Sequence, residues 1–169
     1  MDPRYCWIDA LAFQDTINEG NARWDHHDKK EARNLYEKAL AYYEGPFLSG
    51  ENTSPWIISA RERLKNRFLG TIKRLGQWQE QVNQYEQALT CYEKGLSIDD
   101  LEESLYQRIM TCQLHLGRCS DAVRTYQRCR ERLSAALEVT PSSETETLRR
   151  QVNSLRADPS FLPDAVYQR

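Results

Sequence analysis

Residues 75–133 run LGQWQEQVNQYEQALTCYEKGLSIDDLEESLYQRIMTCQLHLGRCSDAVRTYQRCRERL, and the stretch states one pattern twice. At an offset of 34 residues Leu75 falls on Ile109, Ala88 on Ala122, Leu89 on Val123, Tyr92 on Tyr126 and Gly95 on Cys129. Small residues at two places with an aromatic ring between them, at this period, predict a repeated pair of helices joined by a turn. Ala88 and Ala122 leave room for a neighbouring helix, and Tyr92 and Tyr126 fill the space one turn further on. One hairpin cannot bury its apolar face alone, so each needs the next.

Outward from this stretch the chain is helical throughout. Asp9 is a candidate N-cap for a first helix reaching about Trp24, with Leu11, Phe13 and Ile17 apolar. Asp28 and Glu31 form a capping box for a second helix carrying Ala32, Tyr36, Ala39 and Tyr43 on one face, which Gly45-Pro46 stops. Residues 45–54 make the one substantial loop, with Phe47 and Leu48 expected to tuck back. Ser54-Pro55 then opens a long third helix striped by Ile57, Ala60, Leu64, Phe68, Ile72 and Leu75. A fourth helix is expected over about 79–96. Asp99 with Glu102 is expected to cap a fifth, which Gly117 closes, and Ser143 with Glu146 to cap a seventh after the sixth has carried Ala122 to Leu137. The first pair obeys the repeat more loosely: Gly20, Ala32, Tyr36 and Ala39 occupy the offsets of Gly76, Ala88, Tyr92 and Gly95. No segment alternates as a strand would. The expected fold is all-α: about three antiparallel hairpins plus a C-terminal capping helix in a short α-solenoid. Residues 1–155 form one domain, and 156–169 a proline-containing tail, either extended against the body through Phe161 and Leu162 or disordered. The stretch 75–133 resembles a pair of tetratricopeptide repeats.

Composition narrows the function. Apolar residues make 40% of the 169 and charged residues 28%, the balance of a folded chain. No run approaches the roughly 20 apolar residues of a membrane span, and Met1-Asp2-Pro3-Arg4 opens no secretory segment, so a cytoplasmic home is the default. The five cysteines form no C-x-x-C pair and four lie at apolar or small-residue positions of helical patterns, which suits reduced, buried thiols. A net charge of −2 argues against a domain that grips nucleic acid by its phosphates.

A narrower resemblance is carried by Ile8-Asp9 with Phe13, Ala32 to Leu40, Gly45-Pro46-Phe47-Leu48, Trp56, Arg61 and Leu64. It continues through Leu96-Ser97-Ile98-Asp99-Asp100-Leu101-Glu102-Glu103, Arg108-Ile109-Met110, Gly117 to Val123, Tyr126, Arg130, Leu133 and Thr140 to Thr145. In order and spacing, over about residues 7–153, these resemble the bacterial transcriptional activator domain of antibiotic-regulatory-protein-type regulators. Where such domains often carry a glycine after the leucine, this chain has Leu137-Glu138. The resemblance implies a non-catalytic part of a transcription regulator, with a DNA-binding winged helix that would precede Tyr5. It also implies a role in self-association, interdomain or transcription-machinery contacts, and signal coupling, with a small-molecule effector possible and no cofactor. The alternative is a stand-alone tetratricopeptide adaptor that binds peptides.

Candidate site residues follow from register. If the first helix of each pair lines a groove, Lys73, Gln77 and Gln81 face it from the third helix and Gln107, Thr111 and His115 from the fifth; solvent exposure alone would explain the same polarity. Trp78 is the candidate interface anchor, whereas Trp24 and Trp56 are expected to pack between hairpins. Arg124, Arg128 and Arg132, at i, i+4 and i+8, form either a basic docking face or a solvated one balanced by acidic neighbours. Arg61, Arg63, Lys65, Arg67, Lys73 and Arg74 pose the same choice on the third helix. Asp25-His26-His27-Asp28 invites a metal reading, but no third ligand follows at helical spacing, and a polar turn accounts for it. No nucleophile elbow, zinc-protease motif or glycine-rich phosphate loop is present, so neither a catalytic nor a metal residue is assigned.

Overall fold

The structure, a computed structural model, describes residues 3–43, 45 and 54–157. The Phe47–Leu48 loop and the tail with Phe161 and Leu162 lie outside the described residues. Those described form seven helices and no strand: α1 (Pro3–Asp25), α2 (Lys29–Tyr42), α3 (Pro55–Gln81), α4 (Tyr85–Leu96), α5 (Glu103–His115), α6 (Cys119–Leu137) and α7 (Ser143–Ala157). They gather into two compact units, Met1–Leu75 and Gly76–Arg169.

Three turns close the hairpins by one device. Each ends a helix with a residue in the left-handed region: His27 (φ 65°), Asn83 (φ 59°) and Gly117 (φ 70°). The next amide reaches back five residues, Asp28 N–H to Arg23 O (3.0 Å), Gln84 to Gln79 (2.8 Å) and Arg118 to Gln113 (2.7 Å). This pairing satisfies carbonyls that the helix end would otherwise orphan. The spacing from Asn83 to Gly117 is the sequence period again. It also moves a boundary: the turn lies at 82–84, so α3 runs on through Gly76 and Trp78 to Gln81, and α4 begins at Tyr85 rather than near 79.

Other helix starts differ from expectation for similar local reasons. Asp9 sits inside α1, which begins at Pro3. Asp28 does cap α2, accepting from the Glu31 amide. Asp99 instead turns the chain by accepting from the Leu101 amide, and α5 starts after Glu102 with no side-chain cap. Ser142, not Ser143, accepts from the Thr145 amide at the start of α7. α6 ends on Glu138 at φ 56°, ψ 29°, the conformation for which glycine is the unstrained choice.

In the first unit, Phe13 and Ile17 of α1 are buried with Ala32, Tyr36, Ala39 and Leu40 of α2 and the stripe Ile57, Ala60, Leu64, Phe68, Ile72 and Leu75 of α3. Tyr43 bridges Phe13 and Phe68, with ring centroids 5.5 and 4.6 Å away. Leu11, expected inside, is half exposed. Trp56, in the first turn of α3, is 54% exposed rather than packed between hairpins. Trp24 is half-buried, 6.1 Å from the Tyr36 ring. In the second unit Ala88, Tyr92, Leu105, Tyr106, Ile109 and Cys112 are buried, and Met110, Leu114, Ala122, Tyr126 and Val152 form a cluster that α7 completes through Leu148 and Leu155.

Candidate functional site

Each hairpin seam is fastened at a tyrosine. Ala32, Ala88 and Ala122 are fully buried, and four residues on, the rings of Tyr36 and Tyr92 lie against Gly20 and Gly76 of the preceding helix, while Tyr126 packs in the cluster with Met110 and Val152. Glycine makes the room: a Cβ on Gly20 would lie 2.7 Å from the Tyr36 ring, and one on Gly76 would lie 2.4 Å from the Tyr92 ring. Met110 holds the corresponding place before Tyr126.

The hydroxyls then find polar partners, as buried tyrosines must. Tyr36 donates to Asn21 Oδ1 (2.8 Å). Tyr92 donates to Glu80, whose other oxygen accepts from Arg108 (3.3 Å). Tyr126 donates to Glu146, which also accepts from Arg149 (2.9 Å). Burial, reinforced by the Glu80 carboxylate, pushes the Tyr92 phenol far above its ordinary range, so it stays a donor at any physiological pH. The Tyr126 hydroxyl, and after it Arg149, holds the Glu146 carboxyl below its ordinary value. Burial pushes the Cys112 and Cys129 thiols up to about 12, which leaves them protonated and inert at neutral pH.

The predicted groove residues divide. Gln77, Gln81 and His115 are exposed, with His115 stacked on Tyr85 at 4.5 Å and 6° between planes. Thr111 is half-buried and returns its hydroxyl to the Gln107 carbonyl. Gln107 does not stand on an open wall: its amide donates to Thr145 Oγ1 (2.9 Å) and Ser142 Oγ (3.3 Å). Glu103 accepts from the Ser142 amide and the Thr145 hydroxyl beside it, so this face of α5 is used to seat α7. Trp78 is half-buried in the second unit, and Lys73 half-buried in the first.

The arginine row is neutralised within the fold. Arg124 pairs with Asp121, Arg128 reaches both oxygens of Glu93 (3.0 and 2.9 Å) and lies over the Tyr106 ring, and Arg132 pairs with Asp100. Arg128 and Arg132 thus tie α6 to α4 and to the turn after it. Exposed pairs of this kind are worth about 0–1 kcal/mol each. His27 serves as the left-handed turn residue of the first hairpin, which gives it a structural role. Among the described residues no three His, Cys, Asp or Glu side chains gather as a metal would need.

With seven helices, tyrosine-fastened hairpins and a docked α7, the decisive comparison is with known families: the model of the bacterial transcriptional activator domain matches residues 8–153. The chain belongs to this family. As a bacterial transcriptional activator domain it has an all-α, tetratricopeptide-like fold. It is similar to the C-terminal tetratricopeptide-containing domain of a Plasmodium falciparum FK506-binding protein, with 15% identity and a TM-score of 0.57 over 89% of this chain and 94% of that one. PcrH from Pseudomonas aeruginosa matches at 18% identity and a TM-score of 0.47 over 84% and 86% of the two chains. PcrH in complex with the chaperone-binding region of PopD matches at 19% identity and a TM-score of 0.47 over 86% and 92%. No curated protein matches the sequence. No helix among the described residues of this activator domain is long and apolar enough to cross a membrane.

One group of polar residues was hidden inside the basic run of α3. Arg67 and Arg74 turn toward α1, where Arg67 donates to Asn18 Oδ1 (3.2 Å) and Arg74 to Asn21 Oδ1 (2.6 Å) and the Tyr36 hydroxyl (3.1 Å). Arg67, Gly70, Thr71 and Arg74 stand at i, i+3, i+4 and i+7 on one face of α3, but Arg63 shares that face one turn earlier, so spacing alone does not single them out.

Proposed function

We propose that this chain is the non-catalytic interaction and signal-coupling domain of a bacterial transcription regulator, acting as one domain over residues 1–155. DNA binding is assigned to a separate winged-helix domain of the full regulator. The observation that carries the reading is the family match over residues 8–153. The charge balance supports the division of labour: net charge is −2, and the arginine row of α6 is spent on Asp121, Glu93 and Asp100 rather than offered to phosphates. In this reading the stacked hairpins present surfaces for self-association, for a neighbouring domain or for the transcription machinery, and a bound partner biases their arrangement.

The test joins residues 1–169 to the winged helix encoded with them and compares the fusion with each part in promoter binding and in transcription. The isolated chain leaves a promoter duplex unshifted at physiological salt. The winged helix alone binds but does not activate, and the fusion does both. Activation that survives deletion of residues 1–169, or duplex binding by the isolated chain, refutes the proposal. A peptide-binding adaptor is the second reading, favoured by the exposed Gln77, Gln81 and His115. It predicts peptide capture that Gln81→Ala weakens and no effect on transcription.

A further inference from the structure

We propose that the cleft between α1 and α3 in the first unit binds a small dianion, the phosphate-ester group of a small-molecule effector. The inference stands apart from the interaction reading and does not need it. The cleft has a volume of about 220 Å³ and is lined by Ile17, Asn21, Arg67, Gly70, Thr71 and Arg74.

It brings two guanidinium groups together on one lining. Arg108, Arg118, Arg124, Arg128, Arg132 and Arg149 of the second unit each pair with a carboxylate. Arg67 and Arg74 touch only neutral acceptors among the described residues: two amide oxygens, a phenol and, for Arg74, the face of Trp24 at 5.9 Å. A guanidinium has five N–H donors and no acceptor. That also fixes the orientation of both asparagines, since each must offer its oxygen to the arginine. The Nδ2 groups of Asn18 and Asn21 then have no acceptor among the described residues. Two cations and the Asn21 amide line one cleft whose lining supplies no negative charge.

Gly70 adds an independent observation. It lies in the middle of α3, where glycine is destabilising relative to alanine. Gly20 and Gly76 are explained by tyrosine rings, but a Cβ on Gly70 would meet nothing within 4 Å. No packing requirement accounts for it, and it lines the cleft between the two arginines, where a side chain would project into open space.

Charge and size select the ligand class. Two guanidinium groups balance a dianion, and a phosphate monoester carries about −1.5 to −2 near pH 7. At about 220 Å³ the cleft lies below the range of about 300–1,000 Å³ typical of whole drug-sized ligands. It therefore takes the phosphate end of a ligand and leaves the rest outside. Ile17 supplies an apolar wall against which the first carbons beyond the ester can lie.

The test is a titration of the 169-residue chain with inorganic phosphate and with ribose 5-phosphate at constant ionic strength, following the backbone amide resonances of Gly70 and Thr71. Saturable shifts at those amides are expected with both. Arg67→Gln and Arg74→Gln each weaken binding at least tenfold, Gly70→Leu abolishes it, and Arg128→Gln leaves it unchanged, all with wild-type circular dichroism. No saturable shift, an equal response to chloride, or undiminished binding by both glutamine variants overturns the proposal. So does succinate binding as tightly as phosphate, which would make the site one for dicarboxylates. Displacement of phosphate by a promoter duplex or a phosphopeptide at lower concentration than by ribose 5-phosphate overturns the small-molecule assignment.

Discussion

Two glycines six residues apart on α3 allow the seam to be tested against itself. Alanine at either position gains the same intrinsic helix term, about 0.8–1.0 kcal/mol. At Gly70 nothing opposes it, because the new methyl meets no atom within 4 Å. At Gly76 the methyl would lie 2.4 Å from Cε1 and Cζ of Tyr92 and 2.8 Å from its hydroxyl oxygen. The ring cannot swing away freely: Tyr92 is fully buried and its hydroxyl is held by Glu80. Forcing the ring aside carries an overpacking cost of about 1–3 kcal/mol. Straining or losing the hydroxyl bond adds about 0.5–1.5 kcal/mol. Gly76→Ala should therefore destabilise by about 1–3 kcal/mol net, while Gly70→Ala stabilises by about 1 kcal/mol. The two residues belong to different compact units. Amide hydrogen exchange should accordingly be read separately in α1–α2 for Gly70 and in α4–α5 for Gly76, beside urea unfolding followed by circular dichroism. Tyr92→Leu in the Gly76→Ala background removes the clash and should recover part of the loss. If Gly76→Ala proves as stable as Gly70→Ala, the tyrosine–glycine seam is not what holds the hairpin.

The remaining predictions concern positions where one copy of the repeat or one helix end departs from the ideal. Gln113 Oε1 accepts from Thr125 at 3.0 Å, but the equivalent Gln79 Oε1 is buried without a partner, and Cys91 stands where the repeat elsewhere has Thr125. Cys91→Thr should raise stability by about 1 kcal/mol, seen as a higher urea midpoint at unchanged slope. Glu138→Gly should stabilise the end of α6 by about 1 kcal/mol, since it relieves a left-handed residue, and a fall in the midpoint would refute that account. The Glu146 carboxyl lies below its ordinary value of 4.5, chiefly through the Tyr126 hydroxyl and then Arg149, so its contribution to stability is complete above that value and is lost as pH falls through the depressed one. Unfolding midpoints of wild type should drop as pH falls below 4.5, and those of Glu146→Gln should drop less; Glu144, also depressed, retains a share of the loss in both.

The 34-residue period, the buried alanines and the tyrosines of the seam were legible in the chain, because close helix packing demands small and aromatic residues at fixed intervals and leaves little choice of side chain. The first hairpin was legible for the same reason, through Gly20, Ala32, Tyr36 and Ala39. Helix ends were less so. Asn83 and His27 close their turns by a left-handed backbone conformation that asparagine and histidine signal far more weakly than glycine, and α3 runs further than its stripe suggested. The fates of polar side chains belonged to the tertiary structure alone. Whether Gln107 faces a groove or seats α7, whether Arg128 is offered or paired, and whether Arg67 and Arg74 meet carboxylates or a cleft all depend on what a neighbouring helix brings opposite them. An apolar periodicity is recorded within one helix, whereas the partner of a charge lies on another, and only the folded chain brings the two together.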